Sequence, residues 1–244
     1  MSEENVIEVR NLSKVFGKFT AVDHISFDVK KGEIFGFLGA NGAGKTTAIK
    51  MLTGILSSSS GEATVAGFDI NKNRNKLKEN IGYMSQKFSL YEDLTLKENI
   101  AFYGGIYGLS KTQIKEKTAQ MVNELGLENI EDTLIAEIPL GWKQKIAFSV
   151  AILHKPKIVF LDEPTSGVDP ITRRQFWSLI YKAAADGITV FVTTHYMDEA
   201  EYCDRISMMV EGRIEALGSL QELLTKYDSQ NMDEVFIKLA RATN

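Results

Sequence analysis

The 244-residue chain has a single cysteine, Cys203, so no disulfide can form within it, and the composition suits a reducing compartment. It has no uninterrupted apolar run near the roughly 18 residues that a membrane-spanning helix needs. Its first residues, MSEENVIEV, do not read as a signal peptide. Any role at a membrane is therefore expected to come through a partner. An excess of positive charge is also missing: 28 Lys and Arg stand against 32 Asp and Glu. That balance argues against a protein that works on nucleic acid. The remainder, 44% hydrophobic and 25% charged, is ordinary globular material with room for one large or two small domains.

The most informative stretch is Gly39 to Thr47, GANGAGKTT. It fits G-x-x-x-x-G-K-[ST] with Gly39, Gly44, Lys45 and Thr46 in the fixed places. An apolar run, Glu33 to Leu38, suits a buried strand before it. Ala48, Ile49, Met51, Leu52, Ile55 and Leu56 keep helical spacing behind it, up to the break at Ser57 to Gly61. A strand, glycine loop and helix in that order can aim successive N–H groups and a positive helix end at phosphate oxygens. Lys45 adds a point charge for the outer phosphates, and the Thr46 hydroxyl can ligate magnesium. Without that context the glycines would make only a tight turn.

A second anchor is Ile158 to Glu163, IVFLDE, a buried strand ending in two carboxylates. Carboxylates at a strand mouth are costly unless a cation or solvent meets them. Asp162 is placed to hold magnesium, and Glu163, pointing differently, can polarise an attacking water. Taken alone, the pair could equally start a turn before Pro164.

Around these anchors the pattern alternates. Val6 to Leu12 and Ile25 to Val29 read as strands of an antiparallel layer, Glu62 to Gly67 as another short strand, and Ile81 to Ser85 as a strand ending at Gln86. Phe16 sits where an aromatic could lie under a purine or could simply pack. The basic run Asn71 to Asn80 reads as a solvated face. Phe88, Leu90, Tyr91 and Leu94 precede a helix over Thr95 to Tyr107, and either dock a partner helix or pack on their own. Ser110 caps a further helix to Leu125, so that roughly Phe88 to Leu153 is helical and inserted in the α/β core. Asp169-Pro170 starts a helix ending at Asp186-Gly187. Ile188 to Thr193 is a buried strand that delivers His195, either a phosphate contact or, like His24 and His154, a structural histidine. Arg205 to Val210 and Arg213 to Leu217 form a hairpin, and Leu220 to Asn244 a largely helical tail.

Taken in order, the phosphate loop, Gln86, IVFLDEPTSGVD and TTHYMDEAEYCDR resemble the ATP-binding subunit of an ABC transporter over nearly the whole chain. SLYEDLTLKENIAFYGGIYGL and the DEVFI of the tail are similar to ATPases that serve drug, antibiotic or lipid exporters. The resemblance implies an α/β, P-loop NTPase fold: a RecA-like parallel core over 1–87 and 154–220, an N-terminal antiparallel β layer, an inserted α-helical subdomain over 88–153, and a tail over 221–244. It also implies residue roles. Phe16 stacks on adenine, and Gly39, Ala40, Asn41, Gly42, Ala43, Gly44, Lys45, Thr46 and Thr47 cradle the phosphates of ATP. Thr46, Gln86 and Asp162 organise Mg2+, Glu163 is the catalytic base and His195 touches the γ-phosphate. Ser166 to Asp169 cross the interface of a head-to-tail dimer. The implied partners are a membrane permease, at the cytoplasmic face of the membrane, and a second ABC ATPase subunit.

One element departs from the family. Where Leu-Ser-Gly-Gly usually precedes a helix, this chain has Ile138, Pro139, Leu140 and Gly141. Pro139 removes a hydroxyl and an N–H that would meet the γ-phosphate, leaving backbone donors at Leu140, Gly141 and Trp142. The substitution reads either as a benign variant in a homodimer or as the mark of a chain that pairs with a different ABC subunit. Two rival functions are a soluble ABC ATPase acting on cluster assembly, DNA or ribosomes, and a regulatory subunit that binds ATP with weak hydrolysis.

Overall fold

The computed structural model describes residues 4–86 and 90–242. Phe88 lies outside them. The chain opens with β1 (Asn5–Phe16) and β2 (Phe19–Lys30), a long hairpin turned at Gly17, followed by β3 (Ile34–Leu38) and α1 (Lys45–Leu52). Next come β4 (Ser60–Val65), β5 (Phe68–Asp69), α2 (Arg74–Asn80) and β6 (Ile81–Met84). Three consecutive helices, α3 (Leu96–Ile106), α4 (Lys111–Leu125) and α5 (Leu140–Ala151), separate β6 from β7 (Ile158–Asp162). After these come α6 (Pro170–Ala185), β8 (Thr189–Thr194), β9 (Arg205–Val210), β10 (Arg213–Gly218), α7 (Leu220–Lys226) and α8 (Met232–Ala242).

Two sheets form. One is antiparallel with order β2-β1-β4-β5; the other has order β10-β9-β3-β8-β7-β6 and is parallel except for β10 at its edge. The central strands IFGFL, IVFLD and TVFVTT are buried at every residue, as expected of parallel strands covered on both faces. Rings of Phe27, Phe35, Phe37 and Phe191 fill the space between the sheets, with centroids 5.2 to 6.1 Å apart. Helices α5 and α6 cover the opposite face through Phe148, Phe176, Trp177 and Ile180, and Leu96 and Ile100 of α3 and Met121 and Val122 of α4 belong to the same core. Burying one such aromatic is worth about 1.5–3 kcal/mol against leaving it in water. Registry places Asp162 beside Thr193 and Leu38 beside Thr194. The C-terminal ends of β3, β7 and β8 are thus level, where open parallel sheets hold ligands.

Differences from the expected elements are local. β1 and β2 run further toward their turn than apolar alternation predicts, because irregular pairing steps flank Asn11 and His24, both in the left-handed region (φ 47° and 50°). These bulges interrupt the two-residue period without ending the strands. α1 stops at Leu52 rather than Leu56, since Gly54 takes φ 70° and Thr53 returns its hydroxyl to Ile49 O at 2.9 Å. The basic run contains α2, anchored by buried Leu77 with Lys72, Lys76 and Lys78 exposed. Ser110 caps α4 with Gln113 in a reciprocal capping box, and Thr95 and Glu98 do the same for α3.

His154 joins the three-helix insert to the sheet. Its ring stacks on Tyr107 with centroids 3.9 Å apart, and Nε2–H donates to Ile81 O at 3.1 Å. Burial pushes its pKa below the ordinary 6.5, opposed by the Ile81 carbonyl and assisted by the Lys117 charge. Above that value the ring is neutral in folded and unfolded chains alike. As pH falls through 6.5 the unfolded chain takes up the proton first, so stability is lost on the acid side. Denaturation midpoints measured from pH 7 to 5 should therefore decline, and His154→Gln should flatten that decline. An unchanged slope would show that His154 is not its source.

Candidate functional site

The site is built at the level ends of β3, β7 and β8. After Leu38 the chain turns through Gly42 (φ 84°) and Gly44 (φ 106°) into α1. At Gly44 a side chain has no room, because a Cβ would lie 2.4 Å from Ala21 O. Gly39, Ala43 and Lys45 are buried, Ala40, Asn41 and Gly42 are exposed, and Gly44, Thr46 and Thr47 are half-buried. The loop is fastened by Gly39 N–H to Thr194 O (3.3 Å), Ala43 N–H to Ala40 O (3.2 Å) and Gly212 N–H to Ala43 O (3.0 Å).

Lys45, 4% exposed, donates from Nζ to Gly39 O (2.7 Å) and Ala40 O (3.0 Å) and lies 3.3 Å from Glu163 Oε1. Glu163 itself holds a left-handed backbone (φ 51°), a strained state for a non-glycine residue. Two bonds from its own N–H fix it there, to Thr193 O and Thr193 Oγ1, both 3.1 Å. Its carboxylate and that of Asp162 take different partners. Its Oε2 accepts from Gln86 Nε2 at 3.0 Å and faces His195 Nδ1 at 3.1 Å. Asp162 accepts through Oδ1 from Thr193 Oγ1 (2.8 Å) and Thr46 Oγ1 (3.2 Å). Its pKa is raised, first by burial and then by the Glu163 charge, with the two hydroxyls and Lys45 working the other way.

Six of the residues anticipated in the sequence thus meet within hydrogen-bonding reach: Lys45, Thr46, Gln86, Asp162, Glu163 and His195. Others lie elsewhere. Phe16 is 48% exposed at the end of β1, with Lys14 Nζ 5.1 Å from its ring centre. Pro139 is the N-cap of α5 and has no side-chain bond to offer. Its carbonyl takes the Trp142 and Lys143 N–H groups, both at 3.0 Å. Trp142, expected to keep a free donor, is therefore already used, and Leu140 and Gly141 carry the first-turn donors. Leu140 faces Gln86, Gln144, Glu163 and Ser166 across a cavity of about 240 Å³. Asp169 caps α6, accepting from Ile171 and Thr172 N–H (3.0 Å each) and from the Thr172 hydroxyl (2.6 Å), which leads in lowering its pKa.

Thr193 was missed. It bonds the Asp162 carboxylate and the Glu163 main-chain N–H, and the one available signal was a polar residue at a buried strand end. Among the described residues no group of three His, Cys, Asp or Glu could hold a metal ion. The Asp162 carboxylate beside the Thr46 hydroxyl is nevertheless a hard-oxygen donor set that fits Mg2+, which usually keeps waters and takes phosphate oxygens besides one or two protein ligands.

A glycine loop opening a helix, a buried lysine, and two carboxylates at the mouth of β7, one strand removed from β3 in the parallel sheet, define a P-loop nucleotide-binding domain. Comparison with known proteins narrows the class. The sequence model described as ABC transporter matches residues 22–166. The chain is 48% identical over 243 residues to the probable multidrug ABC transporter ATP-binding protein YbhF of Escherichia coli, covering 97% of this chain and 42% of that one. It is 39% identical over 222 residues to the linearmycin resistance ATP-binding protein LnrL of Bacillus subtilis, covering 91% and 71%. Among solved structures, an ATP-binding subunit of an ABC transporter superposes with a TM-score of 0.87 at 27% identity, covering 96% and 99%. The ADP conformation of MJ1267, an ATP-binding cassette, superposes with 0.83 at 26% identity over the same shares. The chain belongs to the ABC transporter family, as one of its ATP-binding cassettes. It spans about two fifths of the length of YbhF. The expected P-loop fold, with its antiparallel layer and parallel core, is borne out.

Proposed function

We propose that this chain is the ATP-binding and ATP-hydrolysing subunit of an ABC transporter, driving export through a separate membrane permease. The observation that carries this reading is Glu163, a buried carboxylate aimed by its backbone at Gln86 and His195 while Lys45 and Asp162 stand beside it. N–H groups of Gly39 to Thr47 and the positive end of α1 cradle the ATP phosphates. Lys45 exchanges the Gly39 and Ala40 carbonyls for the outer phosphate oxygens. Thr46, Gln86 and Asp162 hold Mg2+, which when bound neutralises charge developing on the phosphates. Glu163 orients the attacking water and accepts its proton, and His195 donates to the γ-phosphate. Phe16 supports the adenine ring.

The partners follow from two surfaces. Pro139, Leu140, Gly141 and Asp169 face the nucleotide of a second ABC ATPase subunit in a head-to-tail dimer. The altered signature favours a heterodimer in which one site mainly binds, and this is the second reading. On the insert, Leu90, Leu96 and Ile100 are buried, while Tyr91, Phe102 and Ile106 remain exposed. Near them Ile55, Tyr83, Ile106 and Tyr107 line a cavity of about 370 Å³. This apolar face receives a cytoplasmic helix of the permease. The insert over 88–153 acts as a helical subdomain, the core lies over 1–87 and 154–220, and 221–244 is the tail. Among the described residues no helix is long and apolar enough to cross a membrane, and the chain sits peripherally on the cytoplasmic face. The similarity to YbhF, a probable multidrug ABC transporter ATP-binding protein, and to LnrL, a linearmycin resistance ATP-binding protein, supports export of drug-like or antibiotic cargo.

Phosphate release from Mg-ATP by the purified chain tests the enzyme reading, and a chain that binds ATP without turnover would favour the regulatory one. For the permease face, Ile106→Asp should cut co-purification with a polytopic membrane protein several-fold while leaving phosphate release by the purified chain unchanged. Equal co-purification would move the docking face elsewhere.

A further inference from the structure

One fully buried carboxylate takes no part in the chemistry above. Glu199 is 0% exposed and lies in the 3-10 segment Met197–Tyr202, four residues after His195. Its Oε1 accepts from Thr165 Oγ1 at 2.7 Å and Trp177 Nε1 at 3.2 Å, with Arg173 Nε at 3.7 Å supplying the opposite charge. A charge this deep is costly and persists only when bonded and paired. Its position is informative. Thr165, itself 1% exposed, comes two residues after Glu163, while Arg173 and Trp177 belong to α6. Arg173 also stacks on Tyr196, the residue after His195, at 4.0 Å from the ring centre.

The loops leaving β7 and β8 are thus joined twice. His195 meets Glu163 on the nucleotide side (3.1 Å), and Glu199 meets Thr165 behind it (2.7 Å). The strands alone fix the loops only as far as Asp162 and Thr193, the last registered pair. Beyond that pair and the two bonds from the Glu163 N–H to Thr193, the rear contact is a further constraint on how far the two loops stand apart. We infer that Glu199 is a positioning residue for hydrolysis: through Thr165 it holds the Glu163 loop and the His195 loop in register, and through Arg173 it ties that register to the start of α6, whose cap Asp169 lies on the dimer face. The inference rests on the proposed roles of Glu163 and His195.

Thr165→Val removes the bond at nearly constant volume without exposing the carboxylate, and Thr165→Ser restores the hydroxyl. Misplacing a base by a fraction of an ångström lowers the chemical step and not the grip of the phosphate loop, so kcat should fall roughly tenfold to a hundredfold with KM for ATP nearly unchanged. Thr165→Ser should recover most of the loss. Since the chain has three histidines, ring resonances of 13C-labelled protein give a readout independent of turnover. The His195 signal, assigned with His195→Ala, should move in Thr165→Val and return in Thr165→Ser, while His24 and His154 stay in place. A wild-type kcat or an unmoved His195 signal in Thr165→Val overturns the inference. If the wild type itself shows no turnover, the ATPase reading fails, and the His195 signal alone decides this one.

Discussion

Glu163→Gln is expected to lower kcat for ATP by about 10²–10⁴-fold and to leave ATP affinity within a few-fold of the wild type. The two effects separate because of where the side chain sits. Glu163 is 7% exposed and held through its main chain by Thr193, so an isosteric amide keeps the backbone and the packing. Its Oε1 can still face Lys45 as the amide oxygen. What the amide cannot do is take a proton from water. The phosphate-binding loop belongs to β3 and α1, not to the turn after β7, and is untouched. Single-turnover and equilibrium-binding assays on the same preparation read the two quantities. Unimpaired turnover would show that the base is another group.

The second large effect is expected at Lys45. Methionine there keeps most of the apolar stem of a side chain that is 4% exposed but removes the ammonium that binds Gly39 O and Ala40 O. Each lost charged hydrogen bond costs about 1.5–3 kcal/mol, or roughly tenfold to a hundredfold in affinity. Lys45→Met should therefore weaken ATP binding by that factor, measured by titration calorimetry, with turnover falling in step at subsaturating ATP. It also strips the buried Glu163 carboxylate of its nearest cation, so the thermal midpoint should drop even without nucleotide. Unaltered affinity would mean that the outer phosphates lie away from Lys45.

Much of this site was legible in the sequence because its motifs are contiguous. GANGAGKTT needs only a strand before it and a helix after it, and both are marked by apolar spacing. IVFLDE announces its own carboxylates. The convergence of Gln86, Glu163 and His195 was reached only through family resemblance, since the three sit on separate strand ends and nothing in their spacing brings them together. Thr193, Thr165 and Glu199 were missed for a related reason. Each is a common polar residue whose meaning comes from a neighbour about 30 positions away in the chain. The hairpin of β1 and β2 was under-read where bulges at Asn11 and His24 broke alternation. The tail, expected only to be largely helical, divides into two helices because Asp228 adopts φ 45° between α7 and α8.

Pro139 is where the family pattern is weakest, and the central claim, an ATPase whose site is completed by a second subunit, meets its hardest test there. The measurement is the mass of purified Glu163→Gln by light scattering, with and without ATP in the absence of magnesium. The account predicts a monomer that becomes a dimer only with ATP, either alone or, in the heterodimer reading, only with a second ABC subunit that has a standard signature. A chain that binds ATP yet stays monomeric both alone and with that second subunit present would contradict it.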